Sequence, residues 1–160
     1  MSYKELYKRK VVSVEEALKQ IKSGQEIVCS LIACEPVTML SKLHTIKDRV
    51  ENVSVVTALL LYEYDFFMNP DMKGHFLMNN WFYTGGARKA HPYGTVSYIP
   101  LELHRSVACR TAHRPPDIFL GCASNMDNHG FLSLSLDNVW EKELIEIADK
   151  VIIEVNPNFP

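Results

Sequence analysis

The chain has 160 residues, 47% apolar and 22% charged, with a formal net charge of −2. That balance fits one globular domain burying roughly two-thirds of its unfolded surface, and it excludes disordered and fibrous classes. With no basic excess to neutralise a phosphate backbone, nucleic acid is excluded as a partner.

In chain order, the start from Met1 to Lys10 is polar and lacks the hydrophobic region of a secretion signal. Ser13 and Glu16 form a capping box that opens a short helix carrying Ala17, Leu18 and Ile21 on one face, and Gly24 offers it a left-handed stop. Glu26–Leu31 is an apolar run of strand length. Pro36 stands where a first helical turn accepts it, with Val37, Leu40 and Leu43 in step behind. Val53–Leu59 is β-branched and reads as a buried strand. The longest apolar stretch, Val55 to Tyr62, falls far short of the roughly 20 residues that span a bilayer, so no membrane partner is expected and a soluble cytoplasmic protein is.

Tyr62–Asn80 has no clean period and reads mostly as loop, with Phe76–Tyr83 aromatic enough for a strand. Val96–Ile99 is extended, and Pro100 opens a helix through Leu103, Val107 and Ala108 that Pro115 and Pro116 end. Ile118–Ala123 is the next buried strand. After a turn-rich stretch, Phe131–Leu136 alternates apolar residues with serine as a half-exposed strand does. Asn138 with Glu141 caps a helix holding Leu144, Ile145 and Ala148, and Val151–Val155 is the last buried strand. Strands separated by single helices predict an α/β fold, a mostly parallel open sheet with helices on both faces, in one domain. The chain stops directly after a core strand, which reads as a fragment or half.

The four cysteines, Cys29, Cys34, Cys109 and Cys122, have irregular spacing that matches no metal-ligand signature and read as buried free thiols. No metal site and no permanently bound cofactor are expected. In open α/β sheets ligands collect at the carboxyl ends of the strands, so Ser30–Pro36, Tyr83–Ala90 and Ser124–Gly130 are the candidate loops. The first opens a helix whose free N–H groups offer a place for a carbonyl or carboxylate oxygen, or is a plain structural turn. Thr84-Gly85-Gly86-Ala87-Arg88-Lys89 sets two cations beside a close-approaching backbone, as carboxylate or phosphate recognition requires, or is a sharp turn with solvated charges. Asp127-Asn128-His129-Gly130 reads as an ordinary turn, and His104-Arg105 point apart on a helix.

Three ordered segments carry a resemblance: Phe82-Tyr83-Thr84-Gly85-Gly86-Ala87-Arg88-Lys89-Ala90, Met126-Asp127-Asn128-His129-Gly130-Phe131-Leu132-Ser133, and Ala148-Asp149-Lys150-Val151-Ile152-Ile153-Glu154-Val155-Asn156-Pro157. From about Tyr7 onward the chain resembles the acetyl-CoA hydrolase/transferase family, nearest to 4-hydroxybutyrate and butyrate CoA-transferases; Asn125 departs from the proline common at that position. The family carries two related α/β domains in a chain more than twice this long, so residues 1–160 resemble its amino-terminal domain. The resemblance implies ping-pong transfer, in which a glutamate attacks an acyl-CoA thioester, passes through an acyl-glutamyl anhydride, and becomes a glutamyl-CoA thioester that a second carboxylate resolves. In the family that glutamate belongs to the second domain, and no residue here matches it; Glu35 and Glu102 lie outside its motif. This half is expected to form one wall of the cleft, with Ser30, Ala33 and Glu35 toward the acyl group and Gly85, Gly86 and Arg88 nearby. The implied partners are an acyl-CoA, a small carboxylate, the carboxy-terminal domain and further copies in a homo-oligomer. The alternative is a stand-alone CoA- or carboxylate-binding module without turnover.

Overall fold

Two capping boxes open the chain. Ser2 with Glu5 starts α1 (Tyr3–Lys10), and Ser13 with Glu16 starts α2 (Val14–Leu18). The first box lies in the segment whose polarity hides a helix: α1 buries none of its side chains, so it leaves no apolar stripe to read. Gly24 adopts φ +72°, as a left-handed stop requires, and Arg49 closes the end of α2 by donating to the Leu18 and Ile21 carbonyls at 2.7 Å each. The computed structural model describes residues 2–112 and 114–160.

From there strands and helices alternate: β1 (Glu26–Cys29), α3 (Val37–Lys42), β2 (Val53–Thr57), α4 (Asp65–Met68), β3 (Phe76–Asn80), α5 (Gly85–Ala90), β4 (Val96–Tyr98), α6 (Ser106–Thr111), β5 (Ile118–Ala123), α7 (Glu141–Ile147) and β6 (Lys150–Val155). The sheet order is β4-β3-β2-β1-β5-β6 and every pairing is parallel. Its two faces pack separate clusters, one around Ile27, Val55, Phe66, Phe76 and Met78, the other around Val28, Phe119, Trp81 and Trp140. The expected α/β class with both faces covered is therefore what forms. No helix of the described residues is long and apolar enough to cross a membrane.

Four local expectations change. Phe131–Leu136 is no strand: β5 already pairs with β1 on one side and β6 on the other, so the chain that follows it does not pair back onto β5. The segment instead runs as a strap, with Ser135 at φ +64°. Asn138 does not cap α7; Trp140 holds that position, and the Glu141 carboxylate folds back onto the Val139 and Trp140 N–H groups. The glycine pair is no loop: Thr84 accepts from Ala87 N–H and Gly85 begins α5. The last strand, β6, is an edge strand whose side chains are half-buried, with Val151 exposed.

Chain order reverses at the centre of the sheet. From β1 the chain moves outward through β2, β3 and β4, then returns to place β5 and β6 on the other side, so the loops after β1 and β5 diverge. A crevice at the carboxyl ends of such neighbours is the ligand position in open α/β sheets. At the opposite ends of the same two strands, Arg110 pairs with Glu26, and Asp117 accepts from Glu26 N–H at 2.7 Å. That polar cluster ties the amino ends of β1 and β5 together.

Candidate functional site

The segment following β1 is pinned at nearly every residue. Ser30 N–H continues the ladder to the Leu120 carbonyl at 3.0 Å, Leu31 N–H donates to Asp137 Oδ2 at 3.2 Å, and Ile32 N–H donates to the Leu59 carbonyl at 3.2 Å. The Cys34 thiol donates to the Leu134 carbonyl, and the Cys122 thiol to the Glu35 carbonyl. Held this way, Ile32 sits at φ +51°, a conformation that a β-branched residue adopts only under constraint, and its side chain and Ala33 face solvent.

Of the residues expected to face the acyl group, Ala33 is exposed, whereas Ser30 and Glu35 are buried. Among the described residues Ser30 Oγ has no hydrogen-bond partner, and a Cβ on Gly121 would stand 2.8 Å from it. Glu35, 3% exposed, turns inward: its Oε2 accepts from Leu61 N–H at 3.1 Å and so ties the loop after β1 to the loop after β2. Burial pushes the Glu35 carboxyl up against the lowering effect of that N–H. Burial and then the Glu35 charge push the Tyr64 hydroxyl up as well. Glu35 and the Tyr64 hydroxyl lie against each other in this buried corner.

The N-terminus of α3 does not wait for a ligand oxygen. Glu154 of β6 fills it, accepting from Thr38 N–H and Met39 N–H at 3.1 Å each and from the Thr38 hydroxyl at 2.5 Å. The cleft-side helix end is thus neutralised from within. The signal was present in the sequence as a charge inside the apolar run Val151–Val155, a residue half-buried there only if something on the fold receives it.

Across the sheet, Gly85 has open space where a side chain would stand and Arg88 is exposed, its Nη1 donating to the Tyr83 carbonyl at 2.7 Å. Gly86 faces its own chain: a Cβ there would lie 3.1 Å from Glu63 Cγ, and Lys89 pairs with Glu63 at 2.7 Å. The structure therefore brings Ala33, Gly85 and Arg88 to the carboxyl edge with accessible surface and places Ser30, Glu35 and Gly86 behind them. Exposed apolar side chains crowd the same edge, among them Leu61 at 62% and Phe131 at 71%. An open groove of about 750 Å³, lined by Leu103, Val107, Val139 and Glu143, contains none of the six residues singled out from sequence.

Two motifs stay structural. Asp127 accepts from His129 N–H and Phe131 N–H at 2.8 Å each, which holds its carboxyl below the usual range and makes the expected turn. Burial pushes the Cys29 and Cys34 thiols up and the Cys122 thiol up to about 12, so none of the three is a thiolate nucleophile. His104 lies on a short 3-10 turn beside Glu102 at 3.7 Å, both exposed.

Comparison with known proteins places this architecture. Over 159 residues the chain is 30% identical to a succinyl-CoA:cyclohexane-1-carboxylate CoA transferase of Geobacter metallireducens, covering 99% of this chain and 36% of that one. It is 29% identical to a 4-hydroxybutyrate coenzyme A transferase of Clostridium kluyveri, covering 100% and 37%. It is 27% identical to a butyryl-CoA:acetate CoA-transferase of Anaerostipes caccae, covering 100% and 36%. The chain thus spans little more than a third of these relatives. Among solved structures, RipA from Yersinia pestis superposes with a TM-score of 0.91 at 24% identity, over all of this chain and 40% of that one. A 4-hydroxybutyrate CoA-transferase from Porphyromonas gingivalis superposes with a TM-score of 0.79 at 22% identity, over 99% and 36%. These two likenesses show the fold. The model of the acetyl-CoA hydrolase/transferase N-terminal domain matches residues 1–160, and the chain belongs to that family.

Proposed function

We propose that the chain is the amino-terminal part of an acyl-CoA:carboxylate CoA-transferase of the acetate, butyrate or 4-hydroxybutyrate type. It works by ping-pong exchange through a glutamyl-CoA thioester, and the nucleophilic glutamate lies in the carboxy-terminal part that the relatives carry beyond the matched region. One observation carries the placement of the nucleophile. Each buried acid at the carboxyl edge is committed to backbone N–H groups: Glu35 to Leu61, Asp137 to Leu31, and Glu141 to Val139 and Trp140. Buried and turned inward in this way, these carboxylates are shut off from an incoming thioester carbonyl, which a nucleophile must reach from the open cleft.

This domain supplies a wall. The constrained Ile32 turn presents Ala33 to the acyl-CoA, while Gly85 and Arg88 line the other side, with the Arg88 guanidinium available to a carboxylate or a CoA phosphate. Coenzyme A enters as a substrate thioester, and the exposed apolar edge around Leu61 and Phe131 receives the carboxy-terminal domain.

The test is CoA transfer from butyryl-CoA to labelled acetate by the chain alone and with a relative's carboxy-terminal domain added. Silence alone and transfer on addition are expected. Activity of the chain alone returns the nucleophile to Glu35 or Glu102, and silence in both, with association of the two parts demonstrated, favours a binding module. In the active pair, Arg88→Ala is expected to lower kcat/KM by about tenfold or more, the worth of one charge-assisted contact. Unchanged kinetics remove Arg88 from the site.

A further inference from the structure

Over the carboxyl end of β1, two carboxylates are buried against each other. Asp137 is 8% exposed and Glu141 1%. Asp137 Oδ2 takes Leu31 N–H across 106 residues of sequence, and Glu141 Oε2 takes Val139 N–H at 2.7 Å and Trp140 N–H at 3.0 Å, leaving Glu141 Oε1 buried without a partner. None of the ion pairs among the described residues includes either acid. The further titratable group facing them is the Cys34 thiol, on the turn after β1, whose own upward shift comes mainly from burial and in part from both acids. Two carboxyl groups buried in this position repel each other strongly when both are ionised. Burial first, then the Glu141 charge, pushes Asp137 up to about 7.

What this pair fastens is the strap. Between Ser133 and Trp140 the backbone forms no strand, and Ser135 is held in the left-handed region. The strap's other fastenings to the β1 region are the Cys34 thiol on the Leu134 carbonyl and the Trp140 indole N–H on the Cys29 carbonyl at 3.3 Å.

We infer that the strap from Phe131 to Trp140 is a proton-controlled latch over the carboxyl end of β1: Asp137 and Glu141 hold it down while one proton keeps them from both being charged, and loss of that proton to solvent sets two buried like charges against each other, which lifts the strap and carries Asp137 off Leu31 N–H. The sign follows from linkage. A carboxyl whose value is raised by docking favours the docked state below its ordinary value near 3.8, and that preference is lost as pH rises through about 7. The latch stands independently of the transferase reading, since it concerns residues of this chain alone.

The chain carries its own reporter. Its only two tryptophans, Trp81 and Trp140, meet edge to face at this contact with ring centroids 4.7 Å apart. Titrated from about pH 5.5 to about pH 8.5, tryptophan emission is expected to move to longer wavelength with a midpoint near 7, while far-ultraviolet circular dichroism stays constant. Exchange of the Leu31 amide should accelerate over the same range relative to the Val28 amide in the central ladder. Asp137→Asn, which keeps an acceptor for Leu31 N–H without the charge, should abolish the transition. Glu141→Gln should move the midpoint down by about one pH unit or more, because Asp137 then faces no second charge. A flat emission profile in the unaltered chain overturns the latch. So does a midpoint that persists in Asp137→Asn or stays put in Glu141→Gln, or a transition in which circular dichroism is lost with the emission change.

Discussion

Trp140→Ala is expected to lower the unfolding free energy by about 3–5 kcal/mol, the largest single effect of any substitution at the carboxyl edge. The indole is 1% exposed, packs edge-on against Trp81, and belongs to the cluster of Val28, Phe119 and Leu144. Truncation opens a cavity that a sheet on one side and α7 on the other do not collapse to fill. It also strips the Cys29 carbonyl of its side-chain donor at a position buried between strand and strap. Urea titration measures the loss, and a change below about 1 kcal/mol would mean that the strap contributes little to folding and that Trp140 is held by its neighbours rather than holding them.

Gly121→Val is expected to cost about 2–3 kcal/mol or more, and to do so by distorting the site rather than by emptying the core. A Cβ at Gly121 would stand 2.8 Å from both Phe119 Cε1 and Ser30 Oγ. Phe119 is fully buried, and the Ser30 backbone is held by its N–H on the Leu120 carbonyl, so the hydroxyl can only rotate within a buried corner. The strain therefore passes into the end of β1, immediately before the constrained Ile32 turn. Gly121→Ala should show a smaller loss in the same urea titration, and Ser30→Gly should recover part of it by removing one of the two contacts. An alanine variant within about 0.5 kcal/mol of the parent would show that Phe119 and Ser30 shift freely and that the close approach is not what requires glycine.

The glycine at 121 was not singled out by sequence, and the reason is general. Nothing in the run from Ile118 to Ala123 distinguishes a glycine needed for close approach from a weak point in a strand, because the Ser30 hydroxyl meets it only once β1 and β5 pair and the ring of Phe119, two residues back on the same strand, lies against it only in the packed core. Asp137 and Tyr64 escaped notice, and Glu141 was read only as a helix cap, for a related reason. Their letters are those of ordinary surface or core residues, and their burial follows from a strap and a loop that cross the sheet far from their sequence neighbours.

Other features were legible because their cause is local. The capping box of Ser13 with Glu16, the left-handed Gly24, the turn built on Asp127, the β-branched run of β2 and the apolar run of β5 are decided within a few residues of chain. The three ordered motifs likewise pointed to the family before any strand was placed. The roles of residues inside those motifs were another matter. Read as letters, Gly85-Gly86-Arg88 form a loop and Phe131-Leu132-Ser133 begin a strand; in the fold the first opens a helix and the second starts a strap.

Sequence by itself determined the alternation of helix and strand, the parallel sheet and the family, since hydrophobic period, caps and motifs act over short spans. Tertiary structure alone decided which polar groups face the cleft and which are spent inside the protein. Glu35, Asp137 and Glu154 each find their N–H partners on a different segment, 26, 106 and 115 or more residues away, and only the order in which the strands assemble brings those donors within reach of a carboxylate.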